Sequence, residues 1–286
     1  MEGFFCAFSC SSGQKEVGCG LICAHKRCFF PQPKYTSERL YAEESLMLFL
    51  LRMIAVAVFA VFMFVFGCGY CLFSPRNPKN VYIVGRHFCK MARIFGIKLE
   101  LRFPEGDQPV PSVYLANHQN NYDMFTVSGA IQPRTVTVGK KSIAWMPLFG
   151  QLYWLTGNIL IDRANRSKAV GTIGQVIDQI KERNVSVWMF PEGTRSRGRG
   201  LLPFKTGAFH AAIGAGVPIV PIVCSTTENV KLNKWDNGVV IVEMLPPVTV
   251  DGLTKEDVRQ LSNQCRDLMA AKLDELNAEA ASRSAS

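Results

Sequence analysis

The chain has 286 residues, 48% of them hydrophobic and 19% charged, with a formal net charge of +9. That length suffices to bury a real core, and the composition is apolar for a purely soluble domain and fits a membrane-associated one. Residues 1–46 carry five basic and five acidic residues, so the whole positive excess lies in 47–286. Such a surface favours anionic partners, whether phosphate groups, acidic lipid headgroups or nucleic acid, without choosing among them.

Of the ten cysteines, five (Cys6, Cys10, Cys19, Cys23 and Cys28) crowd the first 28 residues. Cys19, Cys23, His25 and Cys28 can be drawn as zinc ligands, but their spacing fits no common pattern, and no metal is expected. Cys68, Cys71, Cys89, Cys224 and Cys265 sit in apolar runs. There they pack as small hydrophobes, as in a reducing, cytosolic compartment. Residues 1–46 show no sustained period and no clean signal peptide. They read as an upstream extension from an early start codon, or as a disordered one.

From Leu46 to Phe73 only Arg52 is charged, and Met53 to Phe73 gives 21 uninterrupted residues. That is long enough to cross a bilayer core of roughly 30 Å. A buried soluble helix is the competing reading, and Gly67 and Gly69 leave open a dip into one leaflet. Ser74-Pro75-Arg76-Asn77-Pro78 stops the helix. Arg76, Lys79, Arg86, Lys90, Arg93 and Lys98 follow, a flank that the positive-inside rule keeps cytoplasmic. Val81, Val84, Phe88, Met91 and Phe95 form an apolar helical stripe, which suits a membrane surface or a sheet equally well. Segment 47–96 is therefore taken as a membrane-anchoring helical region.

Beyond it, short apolar runs alternate with helical patterns. Strands are expected over 97–103, 112–116, 134–139, 158–161, 186–190, 217–223 and 238–245. Helices are expected over about 123–131, from Asn165 through Ile180, over 207–214 and from Thr254 onward. Pro218 and Pro221 demote the 217–223 strand to an edge or bulged position. Strands alternating with helices predict an α/β fold over 97–286, a central, mostly buried β-sheet flanked by helices and preceded by the hydrophobic anchoring helix.

Two stretches carry chemistry. Asn117-His118-Gln119-Asn120-Asn121-Tyr122-Asp123 follows a buried strand at the end where open α/β sheets gather ligands. His118 and Asp123 diverge on one continuous helix, but a strand–turn–helix junction brings the carboxylate to the ring. One ring nitrogen then donates to Asp123 and the other is left as a base. A capping histidine beside a helix-start aspartate explains the same residues. Phe190-Pro191-Glu192-Gly193-Thr194-Arg195-Ser196 also leaves a strand. It offers donors, with Arg197, Arg199 and Lys205 adding charge, in the form that binds phosphate. A plain basic loop is the alternative. The SRGRG run lacks interleaved aromatics, so nucleic acid is not expected as a partner.

Taken together, NHQNNYD and FPEGTRS, with KKSIAWMPLFGQLYWLTGNILIDR between them and VPIVPI after, closely resemble the glycerolipid acyltransferase family over about residues 47–275. The resemblance implies transfer of a fatty acyl group from acyl-CoA or acyl carrier protein to the 2-hydroxyl of lysophosphatidic acid, giving phosphatidic acid. It implies a catalytic pair, His118 and Asp123, and an acceptor-binding set, Glu192, Gly193, Thr194 and Arg195, with Lys140 added from the second block. It implies no cofactor, membrane lipids as surroundings, and a bacterial inner membrane with the catalytic domain on the cytoplasmic face. Two other functions stay open. One is acyl transfer to glycerol 3-phosphate or another lysophospholipid. The other is a non-catalytic, membrane-anchored binder of anionic lipid.

Overall fold

The computed structural model describes residues 37–106, 108–161 and 169–285. The cysteines of the first 28 residues, His25, Asp162, Arg163 and the expected cap at Asn165 lie outside them. The chain divides after Tyr41, and Ala42 onward holds the sheet.

Seven strands form the sheet: β1 (Lys98–Arg102), β2 (Val113–Ala116), β3 (Thr135–Lys140), β4 (Ile159–Ile161), β5 (Ser186–Met189), β6 (Ile219–Cys224) and β7 (Val239–Met244). Their spatial order is β1-β7-β6-β2-β5-β3-β4. Strands β6, β2, β5, β3 and β4 are mutually parallel, while β7 runs antiparallel to β6 and carries β1 parallel to itself. All seven expected strands are present, and the fold is α/β as expected. Val113, Tyr114, Leu115 and Ala116 are all fully buried, as a strand covered on both faces requires. Helices α6 (Ala169–Arg183), α7 (Gly207–Ala215) and α8 (Val258–Ala285) gather on one side. The other side holds α3 (Lys79–Lys90) and the short α4 (Asp123–Thr126), which continues as a 3₁₀ turn to Ala130.

Of the two positions expected for β6, edge or bulged, the edge is not taken: β6 lies at the centre of the sheet between β7 and β2, and its Pro221 faces a bulge. Ile219 exchanges backbone bonds with Val248, and Leu245 N–H donates to Pro221 O. Residues 245–248 thus set three steps against two on β6, a bulge. Backbone groups alternate in direction along a strand, so the Pro221 nitrogen faces this bulge and not the regular ladder with β2. The missing N–H falls where no ladder bond is due. A helix with no separate sequence expectation, α5 (Phe149–Leu155), follows the Lys140–Lys141 segment.

The apolar stretch forms α1 (Ser37–Phe62), a π turn (Met63–Gly67) and α2 (Cys68–Phe73). Helix α1 starts ten residues before Met47. The run Glu43–Phe73 is the one segment among the described residues long and apolar enough to cross a membrane. One face packs on the α/β unit. Leu48, Arg52, Met63 and Cys71 are buried, and Val56 and Phe59 are partly covered. The opposite face leaves Ile54, Val58, Val61, Phe62, Val65 and Phe66 exposed. At Gly67 an added Cβ would lie 3.0 Å from the Leu152 side chain, so the small residue permits close approach to α5. Helix α3 also belongs to the core. Val81 and Phe88 are buried, and Gly85 sits so close to the Ser128 carbonyl that a Cβ would approach it at 2.8 Å.

The lone charge of the apolar stretch has a structural cause. Arg52 is 4% exposed, and its guanidinium donates to the carbonyls of Ile94, Lys231, Leu232, Lys234 and Trp235 at 2.6–3.3 Å. The planar fork reaches two segments of the domain at once, which a single ammonium cannot do. Arg52→Ala strands buried carbonyls and removes the link between α1 and the 231–235 loop. It is expected to cost about 3 kcal/mol or more, read as a lowered thermal midpoint in detergent, with Arg52→Lys intermediate. A midpoint unchanged in Arg52→Ala would contradict this role.

Candidate active site

The site forms where β2, β5 and β6 end. These strands are neighbours and parallel, so the loops that follow them emerge at one edge. That adjacency, which the two motifs need in order to meet, comes from the sheet order alone. Strand β3 lies one place beyond β5, so exposed Lys140 emerges at the same edge, roughly 10 Å from β2 by the usual strand spacing.

His118 follows β2 at once. Its Nδ1 is 2.6 Å from Asp123 Oδ2, so with Asp123 ionised the ring carries its proton on Nδ1 and donates it. Asp123 opens α4 and is 3% exposed. The same Oδ2 accepts the backbone N–H groups of Gln119 at 2.7 Å and Asn120 at 3.2 Å. Its Oδ1 is buried without a hydrogen-bond partner among the described residues. The imidazole stacks on Phe190, with centroids 4.1 Å apart and planes 20° from parallel. A carboxylate thus holds one nitrogen and an aromatic ring holds one face. Nε2 is the nitrogen left for other chemistry, on a side chain that keeps 20% exposure.

The rest of the first motif is anchored to the end of β6. Asn117 bonds both backbone groups of Cys224, through Nδ2 to O at 2.9 Å and Oδ1 from N at 2.8 Å. Gln119 Nε2 donates to the carbonyls of Cys224 and Ser225, and its Oε1 accepts Thr227 N–H. Asn120 Nδ2 donates to Thr227 Oγ1 while Oδ1 accepts Tyr122 N–H. The asparagines therefore tie loops together, and no side chain caps α4. No sequence motif marks the 225–227 segment that receives these bonds.

Glu192 joins the second motif to the first. It is 3% exposed, and its two oxygens accept His118 N–H at 2.6 Å and Leu202 N–H at 3.0 Å. Burial pushes its carboxyl up from the usual range, while the two N–H donors pull the other way. Ser196 N–H donates to His118 O and Arg197 N–H to Gln119 O, completing the seam. Gly193 takes a left-handed φ of +68° in the turn, which favours glycine. Thr194 and Arg195 are exposed beside it. A cleft of about 270 Å³ lies along this seam, lined by Asn117, Glu192, Ser196, Glu228 and Asn277 among others. No group of three His, Cys, Asp or Glu side chains is gathered for a metal ion among the described residues.

Glu192→Gln sets an amide NH₂ against one of the two backbone N–H donors. It is expected to cost about 1–3 kcal/mol and to lower activity by loosening His118. A thermal midpoint and turnover equal to those of the unchanged protein would contradict the clamp.

Residues 101–225 match the family model Acyltransferase. The chain is 58% identical over 241 residues to the 1-acyl-sn-glycerol-3-phosphate acyltransferase of Escherichia coli (strain K12), covering 84% of this chain and 98% of that one. The enzyme of the same description from Haemophilus influenzae is 54% identical, over 82% and 99% of the two chains. The human alpha form is 34% identical, over 77% and 79%. The fold is shared with the crystal structure of the LPA acyltransferase PlsC from Thermotoga maritima. The TM-score is 0.65 at 22% identity, covering 83% of this chain and 98% of that one. The chain belongs to the acyltransferase family, among its 1-acyl-sn-glycerol-3-phosphate acyltransferases.

Proposed function

We propose that this enzyme transfers a fatty acyl group from acyl-CoA or acyl carrier protein to the 2-hydroxyl of 1-acyl-sn-glycerol 3-phosphate, forming phosphatidic acid. The observation that carries the reading is the His118 Nδ1···Asp123 Oδ2 bond, with Nε2 left unbonded among the described residues. Mere lipid binding has no need of an oriented base. The acceptor is an alcohol, a poor nucleophile at neutral pH. Nε2 takes its proton as the oxygen attacks the thioester carbonyl. The C–O bond forms, the C–S bond breaks, and the thiolate leaves to be protonated. Asp123 holds the ring and stabilises the imidazolium. The Cys224 thiol lies at the end of β6 beside the site, fully buried beneath Asn117 and directed to Ser225 O. Burial, with the Asp123 carboxylate nearby, pushes it up. Such a thiol does not carry an acyl group, and transfer is direct.

Arg195 binds the acceptor's phosphate from the Gly193 turn, with Thr194 beside it and Lys140 flanking from β3. Glu192 serves the acceptor by fixing the backbone on which these groups stand. Thioester chemistry of this kind calls for no metal or redox cofactor.

The enzyme works at a membrane surface, where its acceptor resides. Both ends of the apolar stretch rest on the same α/β unit, through Arg52 at one end and through Gly67 and Cys71 at the other. A helix held in this way lies with its outer face in one leaflet and does not cross. The exposed cations Arg76, Lys79, Arg86, Lys90 and Arg93 follow it, which fits the cytoplasmic face of the bacterial inner membrane. The anchoring segment 47–96 precedes the catalytic domain 97–286, and Ser37–Leu46 continue helix α1 ahead of the anchor.

The direct test is acyl transfer by the purified protein to lysophosphatidic acid, glycerol 3-phosphate and other lysophospholipids, with products identified by mass spectrometry. His118→Ala is expected to lose about 10²–10⁴-fold in turnover while still folding and reaching the membrane. Asp123→Asn keeps an acceptor oxygen but loses the charge that stabilises the imidazolium, so it is expected to lose most activity with little loss of fold. Near-normal turnover by folded His118→Ala would sink the mechanism. Separately, thiols introduced at Glu44 and Ser74, with exposed native cysteines replaced, are expected to label from the same side of oriented vesicles. Labelling from opposite sides would mean the stretch spans.

A further inference from the structure

Four cations follow Gly193 in the second motif and just after it: Arg195, Arg197, Arg199 and Lys205. Their positions differ. Arg199 is turned back on its own loop, with Nε to Ser196 O at 2.7 Å and a terminal nitrogen to Arg195 O at 3.3 Å. Arg197 has its backbone N–H bound to Gln119 O and leads away into the exposed glycine-rich segment. Lys205, the most distant in sequence, returns to the turn. Its N–H donates to Pro191 O at 2.8 Å. Its side chain lies across the bare face of Gly193. A Cβ built there would meet Lys205 Nζ at 2.7 Å and its Cδ and Cε at 2.9 Å.

Gly193 is favoured by its φ of +68°, and the end of the Lys205 side chain occupies the space that its missing side chain leaves. The stem lies along the turn's backbone and the exposed ammonium stands beside Gly193. The turn begins three residues earlier at Phe190, whose ring stacks on His118 and whose carbonyl accepts Gly193 N–H. Lys205 has no acidic partner among the described residues. Lys205 thus brings a cation to the Gly193 turn, two residues before exposed Arg195 in the chain, and the same turn starts at the residue that stacks on the His118 ring.

We infer that Lys205 binds the phosphate of the acceptor together with Arg195, and so helps set where the 2-hydroxyl stands relative to His118. This rests on the reading that the acceptor carries a phosphate. The arginine supplies a planar fork and the lysine a compact point charge, so the two recognise different oxygens of one dianion.

The test compares the full-length purified enzyme with Lys205→Ala, Lys205→Gln and Lys205→Arg in mixed micelles. Lysophosphatidic acid and the acyl donor are varied in turn. Thermal midpoints verify that each variant folds, and Gln keeps the length of the stem if Ala disturbs the turn. Ala and Gln are expected to raise KM for lysophosphatidic acid about tenfold or more, with a smaller fall in kcat and an unchanged KM for the donor. Arg is expected to restore most of the loss. An unchanged acceptor KM, equal rises in both KM values, a rise confined to the donor, or Gln performing as well as Arg each overturns the assignment. Failure of the unchanged enzyme to acylate lysophosphatidic acid is a different result. It removes the reading of the reaction, and this inference with it.

Discussion

One carboxylate oxygen organises the site. Asp123 Oδ2 accepts the His118 ring and two backbone N–H groups within five residues of chain. The backbone bonds close the turn that follows β2, and the ring bond selects the tautomer. Fold and chemistry thus depend on the same atom. A charged acceptor forms hydrogen bonds roughly twice as strong as neutral ones. It is also costly to bury unless satisfied, which explains why Oδ2 collects three donors. The surrounding amides of Asn117 and Gln119 and the carboxylate of Glu192 spend their polar groups on backbone. They hold the loop rigid from the β6 and β5 sides, so the ring is positioned before substrate arrives.

The same economy applies to the apolar N-terminal stretch. Its inner face binds the domain through Arg52 and through packing against Phe88 and Leu152, while its outer face stays apolar and bare. An arginine in a hydrophobic run looks out of place only if the run is taken as a simple span. Against five carbonyls of a folded domain it is satisfied. The site at the carboxyl edge of the sheet and the helix that meets lipid are parts of one unit. In the proposed reaction, this gives an insoluble acyl chain and a polar phosphate access to the same loops.

Much of this is legible in the chain. All seven strands can be read because buried strands are short apolar runs with clear punctuation. The His118–Asp123 pair can be read because its contact is local, across one turn. The sheet order cannot be read, because it depends on non-local pairings such as Val113 with Ile219 and with Val187. For that reason the sequence leaves open whether the two motifs meet. Pro221 leaves edge and bulge open because the choice depends on the partner strand, where residues 245–248 bulge. Glu192 looks like a ligand from its motif, yet burial gives it the backbone of His118 and Leu202 as partners. The role of Arg52 is invisible for the same reason, while Lys205 is legible as a charge but not as one placed at the Gly193 turn. Both placements depend on backbone brought near only by folding.

The account turns on which nitrogen of His118 carries the proton, and nuclear magnetic resonance of the ¹⁵N-histidine-labelled enzyme in detergent reads this directly. The chain has four histidines, and His118→Gln identifies the resonance. The account predicts a protonated Nδ1 coupled to its hydrogen and an unprotonated, acceptor-type Nε2 at neutral pH. A proton resident on Nε2 instead, with Nδ1 bare against Asp123, would contradict it.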